Sequence, residues 1–220
     1  MLVTLYMKFG TKEHLEKMQK EGILYCNTIT YFSRIDDNNK RGDKLEVATE
    51  LEYLENVILE VKPANDSLAP WEKLRITYMQ LQKHYEKTLG NLYCMSVFDL
   101  TPSKDTSLLN FENFTAFGSH VLIISREDIF IDKINKAFDK LKIKSCFKAI
   151  EYLDLRKYQG KKSLFQKDIK YSWQKEFRII LYTDKYEIND PFEFSIGNIE
   201  DISIICDISK TKKLFYKIPE

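Results

Sequence analysis

Apolar runs alternate along this chain with polar segments, in patterns that predict short strands and amphipathic helices. Residues 2–9 predict a first strand, because apolar side chains dominate the run. Thr11 has the side chain and the position to cap a helix that follows this strand. In that helix Leu15 and Met18 are predicted to face the core, and Gly22 marks its end.

Further apolar runs predict strands along the rest of the chain. The predicted strands are 23–28, 51–61, 91–98, 119–124, 146–153, 171–182, 192–196, 202–206 and 214–218. Because 23–28 directly follows the first helix, the chain opens with a β-α-β unit. The polar stretch 31–46 and the basic stretch 156–170 show no regular period and predict irregular structure.

Two more helices are predicted from apolar residues that recur every three or four positions. Ser125 and Asp128 predict the start of a helix whose apolar stripe is Phe130, Ile134, Phe138 and Leu141. The second stripe is Trp71, Leu74, Tyr78, Leu81, Tyr85 and Leu89, which predicts a helical insertion at about 68–90. In this interpretation Tyr78 is a core residue, and its replacement by Ala is expected to cost roughly 2–5 kcal/mol.

The order of these elements predicts one α+β domain over residues 1–220, with split mixed and antiparallel sheets flanked by helices. The 34 Lys and Arg residues balance 33 Asp and Glu residues, so the charge does not indicate a general nucleic-acid or membrane binder. No signal peptide and no apolar run of the ~18 residues that span a bilayer is visible, which predicts a cytoplasmic protein. The four cysteines lie far apart within apolar runs and are expected to be buried free thiols.

Two segments carry residues with recognisable chemistry. The first is Arg41-Gly42-Asp43, followed by Glu46. The glycine lets the backbone approach an oxyanion closely, and the neighbouring guanidinium can bind that oxyanion. An ordinary charged loop is the alternative interpretation of this segment.

The second segment contains Lys167, Tyr171, Gln174, Glu176 and Arg178. If 171–182 is a strand, Gln174, Glu176 and Arg178 share one face, where the strand enters a buried run. Buried polar residues are costly unless they are paired, so their presence there indicates either a functional site or a structural ion pair. The sequence leaves both interpretations open.

These two segments resemble those of a little-characterised family of bacterial proteins that carry R-G-D-x-x-E and Y-x-x-Q-x-E-[FW]-R. A more distant resemblance, to the ADP-ribosyltransferase fold, comes from the β-α-β opening and from the late Gln-x-Glu. In that family the second acid of a Q/E-x-E motif is catalytic, which implies that role for Glu176. The resemblance further implies that Gln174 faces the acceptor and that Ser96 is the serine of the middle strand. The first strand lacks the family's Arg or His, and Lys8 is its nearest candidate.

The resemblance implies that NAD is the substrate and that ADP-ribose is transferred to a protein or nucleic acid acceptor. Breaking the nicotinamide–ribose bond builds positive charge on the sugar, which a preorganised carboxylate in a dry cleft would stabilise. The sequence contains cationic side chains that can bind the pyrophosphate. It also contains aromatic rings that can pack against the nicotinamide. The implied NAD-binding residues are Arg41, Lys8, Tyr31, Phe32, Asp43, Lys167, Tyr171 and Arg178.

Two other functions fit the same residues. One is a non-enzymatic binding module of the same fold, in which Arg41, Asp43, Glu176 and Arg178 form a structural network or bind a partner. The other is a metal-dependent phosphoryl-handling enzyme that uses Asp43, Glu46 and Glu176 as ligands, although neighbouring arginines would compete for those acids. If the two segments share a site, Arg41, Asp43 and the face formed by Gln174–Arg178 are predicted to lie within one cleft, despite the ~130 residues between them.

Overall fold

The computed structural model describes residues 3–35, 42–84, 90–100, 107–182, 190–210 and 213–216. These residues form α-helices α1 Lys12–Glu21, α2 Ile29–Arg34 and α3 Glu127–Leu141. Short 3₁₀ helices lie at Glu112–Ala116, Ile169–Gln174 and Glu200–Ile202. The α+β class predicted from the sequence is confirmed. No helix in the described ranges is both long enough and apolar enough to cross a membrane.

The strands are short except for one long pair. They are β1 Val3–Gly10, β2 Ile23–Thr28, β3 Ala48–Val61, β4 Glu72–His84, β5 Asn91–Leu100, β6 Ser107–Asn110, β7 His120–Ile124, β8 Lys144–Ala149, β9 Glu151–Leu153, β10 Gly160–Lys161, β11 Gln166–Asp168, β12 Glu176–Tyr182, β13 Phe192–Ser195, β14 Ser203–Asp207 and β15 Lys213–Tyr216.

The largest sheet is antiparallel and is organised around β5. One edge of β5 pairs with β12, which continues to β8. The other edge pairs with β1 along one part and with β2 along another, and from there the sheet continues to β7, β14 and β13. Smaller sheets are formed by β10-β3-β4, by the parallel pair β11-β9 and by β15-β6. Strand β5 therefore joins the two arms of the sheet.

The first helix forms as its sequence predicts. The Thr11 side chain accepts a hydrogen bond from the His14 N–H, and Leu15 and Met18 are buried. Gly22 ends the helix at a φ of 66°, where a Cβ would lie 2.1 Å from the Gly197 carbonyl oxygen. Glycine is thus required both by the left-handed conformation and by the close approach of a second backbone.

The third helix covers the same face of the large sheet as α1. Phe130, Ile134 and Phe138 are buried in one apolar cluster with Tyr93 and Phe177 of the sheet, as the stripe predicts. Leu141, the last residue of that stripe, is 44% exposed, so the prediction is wrong there. We call this side of the sheet the helix-covered face. The opposite side, which carries Phe98, Ser96 and Glu176, is the second face.

The predicted helical insertion at 68–90 is wrong. Residues 72–84 form β4, which pairs antiparallel with β3, and the hairpin of these two strands is called the ribbon below. Leu74, Tyr78 and Leu81 are 44–65% exposed, and Trp71 is 59% exposed. The apolar residues Leu74 and Tyr78 also fit an alternating pattern, and cross-strand pairing with β3 selects the strand. Tyr85 and Leu89 lie outside the described residues.

The strand predicted at 171–182 begins later than its sequence suggests. Residues up to Gln174 form a 3₁₀ helix, and Lys175 at a φ of 45° turns the chain into β12. Gln174 is therefore not on the strand, whereas Glu176 and Arg178 are and share one face. The Asp168 side chain caps the 3₁₀ helix by accepting a hydrogen bond from the Lys170 N–H, a local contact that competes with extended structure.

The four cysteines are unpaired, as expected. Cys26 is buried, and Cys94 and Cys206 are partly buried. Cys146 is exposed, so the expectation that all four thiols are buried is wrong for this residue. It lies on β8, whose outer edge has no partner among the described residues.

Candidate functional site

The two segments that carry the candidate chemistry are in direct contact. The Tyr171 hydroxyl donates a hydrogen bond of 2.9 Å to the Gly42 carbonyl oxygen. Arg178 forms an ion pair with Glu46, in which Nη2 lies 3.2 Å from Oε2 and Nη1 donates to Oε1. The fold thus places the R-G-D-x-x-E and Y-x-x-Q-x-E-F-R segments together. Arg41 lies outside the described residues.

Arg178 is the centre of this cluster and is only 1% exposed. Its Nε lies 2.9 Å from Glu176 Oε1, and Nη1 also donates to the Leu164 carbonyl oxygen. Burial by itself lowers the pKa of the guanidinium, but Glu176 and Glu46 outweigh burial and raise it above its ordinary value. Arg178 is therefore a permanent cation held by two carboxylates and a backbone carbonyl.

Glu176 has both carboxylate oxygens engaged. Oε1 accepts from Arg178, and Oε2 lies 3.0 Å from Lys167 Nζ. Burial alone raises the pKa of this carboxyl, but Arg178 and Lys167 outweigh burial and hold it well below its usual range. The Glu176 N–H donates to the Tyr152 hydroxyl, whose pKa burial raises to about 12. The carboxylate is thus ionised, buried and compensated by two cations.

Lys167 connects Glu176 to Gln174. Its ammonium donates to Gln174 Oε1 over 2.9 Å as well as to Glu176, and it lies 4.8 Å from the centre of the Tyr171 ring. Although Gln174 is not on the strand, the 3₁₀ helix still brings its side chain to the same ammonium. The Gln-x-Glu pair is therefore bridged by a lysine, and this arrangement does not depend on the shared strand face that the sequence predicted.

Ser96 lies directly opposite Glu176 in the pairing of β5 with β12. On the other edge of β5 the same serine is paired with Met7 of β1. Directly opposed residues of an antiparallel pair point to the same side, so Ser96 and Glu176 share the second face. The middle-strand serine and the late acid of the family resemblance are thus neighbours, and both are about 95% buried.

Lys8 lies on β1 but on the other side of the sheet. Its ammonium donates to the Cys94 carbonyl oxygen over 2.6 Å and lies 4.3 Å from the centre of the Tyr93 ring, which belongs to the helix-covered face. Burial lowers the pKa of this ammonium. Because strand residues alternate between faces, Lys8 and Glu176 are separated by the sheet.

The aromatic residues assigned to nicotinamide lie in different surroundings. Tyr31 is 43% exposed on α2, with its ring 5.4 Å from that of Phe32. Phe32 packs against a small apolar cluster that includes Ile29 and Ile180. Tyr171 is 1% exposed and bonded to the backbone of the first segment. Tyr31 is thus the one of the three whose ring has a large exposed area.

Asp43 is buried without a partner for one of its oxygens. Oδ1 accepts a hydrogen bond from the Leu45 N–H, whereas Oδ2 has no hydrogen-bond partner in the described part of the chain. Burial and the nearby Glu46 raise the pKa of the Asp43 carboxyl. Lys162 is also buried, and burial lowers the pKa of its ammonium, which donates to the Ser163 carbonyl oxygen over 3.4 Å.

The residues proposed as metal ligands do not form a metal site. Glu46 and Glu176 are both ion-paired with Arg178, which is the competition that the sequence suggests. In the ranges that the structure describes, no group of three or more His, Cys, Asp or Glu side chains is placed to hold a metal ion. The Asp43, Glu46 and Glu176 set therefore has no support as a metal centre.

Three contributors to this cluster were not identified from the sequence. Lys162, Leu164 and Tyr152 come from the stretch 151–164, most of which was interpreted as basic and irregular. The pair Leu164-Phe165 within that basic stretch is the local signal that part of it is buried. The described geometry is that of a buried charge network in which Glu46, Glu176, Lys167 and Arg178 are paired, whereas Asp43 Oδ2 is left without a partner in the described residues. Comparison with protein-family models, with curated proteins and with solved structures found no match to this chain.

Proposed function

We propose that this protein works as a non-enzymatic binding module whose body is held together by the buried charge cluster. The observation that carries this proposal is the state of Glu176. Both of its carboxylate oxygens are in ion pairs with buried cations, and the side chain is about 5% exposed. A carboxylate that stabilises a cationic sugar has to reach that sugar and has to contribute uncompensated negative charge.

The cations support the same proposal. Lys167 and Arg178, which the resemblance assigns to the NAD pyrophosphate, already hold Glu176, Glu46 and the Gln174 amide. To bind a pyrophosphate they would have to give up these partners and leave carboxylates buried without compensation, which is strongly destabilising. The cluster is therefore best explained as the element that joins the first segment to β12.

NAD-dependent ADP-ribosyl transfer is the second candidate function, and one specific observation favours it. Ser96 and Glu176 come from segments 80 positions apart, and they are direct cross-strand neighbours on one face of the sheet. In this alternative Glu176 stabilises the oxocarbenium-like centre after NAD has rearranged its ion pairs, and Gln174 faces the acceptor.

An assay of nicotinamide release from NAD separates the two functions. The protein is incubated with NAD and a cell lysate as a source of acceptors, beside Glu176→Gln, Ser96→Ala and the surface control Glu60→Gln. The module proposal expects no release above that of heat-denatured protein. Release by the wild type and by Glu60→Gln would overturn it, and a fall of ~10²-fold or more in a Glu176→Gln protein shown by its melting curve to be folded would establish the transferase.

A further inference from the structure

The ribbon has two chemically different faces. Direct cross-strand partners include Leu59 with Leu74 and Val57 with Ile76, and each such pair points to one side. The side to which these pairs belong is called the apolar face. Its apolar residues beyond the base of the ribbon are Tyr53, Val57, Leu59, Val61, Leu74, Ile76 and Tyr78.

The other face of the ribbon meets water with its charges paired internally. Lys83 Nζ lies 2.7 Å from Glu50 Oε2, and Lys73 Nζ lies 3.3 Å from Glu60 Oε1. Both pairs join β3 to β4 across the ribbon. The same face also carries Leu54, Ile58, Met79 and Leu81, but these apolar residues alternate with its charged and polar ones. Apolar residues thus predominate on the apolar face and charged or polar residues on the other face.

The apolar face is uncovered along its outer part. Leu59 is 41% exposed, Leu74 is 48% exposed and Tyr78 is 65% exposed. Side-chain hydrogen bonds from the body reach the ribbon near its base, where Gln159 Nε2 donates to the Tyr53 carbonyl oxygen over 2.7 Å. A two-stranded ribbon is only marginally stable in water by itself, and contiguous exposed apolar surface marks an interaction site.

Beyond the short pairing of β10 with β3 at the base, the edges of the ribbon do not favour the addition of a further strand. Lys73, Arg75 and Lys83 line β4, and Asn56 at a φ of 53° distorts β3. Exposed lysines and local irregularities of this kind are the devices that protect edge strands from pairing with another chain. Docking on the face of the ribbon is therefore favoured over pairing along its edge.

Charge on the apolar face selects the kind of occupant. From Tyr53 to Val61 and on the facing part of β4, the charged residues of this face are Glu55 and Glu72, both acidic. The same face of a second copy of the chain would offer two further acids and no basic residue to compensate them. A basic partner would compensate them, because complementary charge at the rim of an interface sets partner choice.

We propose that the apolar face of the ribbon binds an amphipathic helix of a partner protein, with leucine-like residues on one side and lysines or arginines flanking them. This rests on the proposed function, because it names the partner class of the binding module. Residues 53–61 extend over ~30 Å, the length of a helix of about 20 residues. A helix is ~10 Å wide, which matches two strands ~4.8 Å apart with their side chains.

The test uses two designed helical peptides of 18 residues, one built from Leu and Lys and the other from Leu and Glu in the same positions. Binding of each fluorescent peptide to the full chain is followed by anisotropy. The Leu-Lys peptide is expected to bind at least tenfold more tightly than the Leu-Glu peptide. Leu74→Lys on the apolar face should weaken its binding tenfold or more.

Leu81→Lys is the matched control, because Leu81 is 44% exposed on the opposite face of the same strand. It should leave binding unchanged. Tyr78→Lys is a second test variant on the apolar face, and circular dichroism shows that each variant is folded. Equal binding of the two peptides, or equal loss in Leu74→Lys and Leu81→Lys, would overturn the proposal.

Other occupants give different results. If the wild type sediments as a dimer and Leu74→Lys dissociates that dimer, a second copy covers the face. This result would overturn the proposal of a basic helix. Binding to phosphatidylcholine vesicles that Leu74→Lys abolishes overturns it in favour of a lipid surface. Failure of the peptide test leaves the nicotinamide assay unaffected, so the two proposals fail separately.

Discussion

Glu46 and Arg178 are 132 positions apart in the sequence, and their side chains form a buried ion pair between the turn after α2 and strand β12. Arg178 also holds Glu176, which is itself bound by Lys167. Removal of any one member leaves a charge buried without its partner. A buried charge cluster as a whole contributes little to the free energy of folding. The loss of one of its components, however, strongly destabilises the protein.

Glu176→Gln is expected to lower the free energy of unfolding by ~3–5 kcal/mol, because it leaves Lys167 and Arg178 without a shared carboxylate. Urea unfolding of the wild type and the variant measures this loss. Glu60→Gln, which removes one partner of an exposed pair with Lys73, is the control and should change stability by less than ~1 kcal/mol. A folded Glu176→Gln of wild-type stability would contradict the structural role.

The stability difference between the wild type and Glu176→Gln should depend on pH. The pKa of Glu176 is held below its ordinary value of 4.5 in the folded state. A carboxyl with a depressed folded pKa contributes stability that is complete above its unfolded pKa and is lost as pH falls towards the folded pKa. The stability difference between wild type and Glu176→Gln should therefore be constant from pH 7 to about 5 and decrease below that. A difference that disappears between pH 7 and 5 would be inconsistent with this.

Asp43→Asn is expected to stabilise the protein at neutral pH. Burial and Glu46 raise the pKa of this carboxyl above its ordinary value of 3.8, and its Oδ2 has no partner in the described residues. A raised carboxyl pKa means that wild-type stability falls as pH rises from 3.8 through the folded pKa. Thermal melts should show an advantage of the variant at pH 8 that shrinks as pH is lowered. Asp128→Asn is the control, because a hydrogen bond from Arg126 lowers the pKa of the Asp128 carboxyl, so this variant should show no such advantage at pH 8.

Tyr78→Ala should cost less than ~1 kcal/mol, since the side chain is 65% exposed on the ribbon. Phe130→Ala is the comparison, because that ring is fully buried and its removal should cost roughly 3–5 kcal/mol. The helical interpretation of 68–90 expects the two losses to be similar. Denaturant unfolding of both variants distinguishes these outcomes.

Gly22→Ala should be strongly destabilising, although it adds a single methyl group. The residue has a φ of 66°, and the new Cβ would lie 2.1 Å from a carbonyl oxygen of Gly197. Gly197→Ala is the matched control, because its φ of 78° is also in the left-handed region but no described atom lies within 4 Å of a Cβ there. Conformational strain alone costs ~1–2 kcal/mol, so the Gly22 variant should lose more than the control. Equal losses would show that the close approach of Gly197 contributes nothing.

Local sequence was sufficient for elements whose structure is decided within a few residues. Helix α1 has its cap at Thr11 and its stop at Gly22, and both interactions are made within the helix and its neighbours. Helix α3 was predictable because its apolar residues recur every three or four positions, and Phe130, Ile134 and Phe138 of that stripe are buried against the sheet. Strands β2 and β13 were likewise predictable from short apolar runs between turn residues.

The candidate residues were recognisable from the sequence, but the partners of their charged side chains were not. Glu176 and Arg178 stood out because charged residues adjoin a buried run. Whether Glu176 faces a substrate or two cations depends on Lys167, which contacts it directly, and on Glu46 and Leu164, which hold Arg178. These residues come from chain segments that local patterns do not position. The buried Lys162 was missed for the same reason.

The ribbon shows most clearly that the sequence lacks information on which segments pair with each other. The spacing of Leu74, Tyr78 and Leu81 fits a helix, and alternation through Ile76 fits a strand equally well. Only the long pairing of β4 with β3, a contact between separate segments, selects the strand. Backbone hydrogen bonds within a helix are local and leave a signal in a short window, whereas those of a sheet depend on a partner elsewhere in the chain.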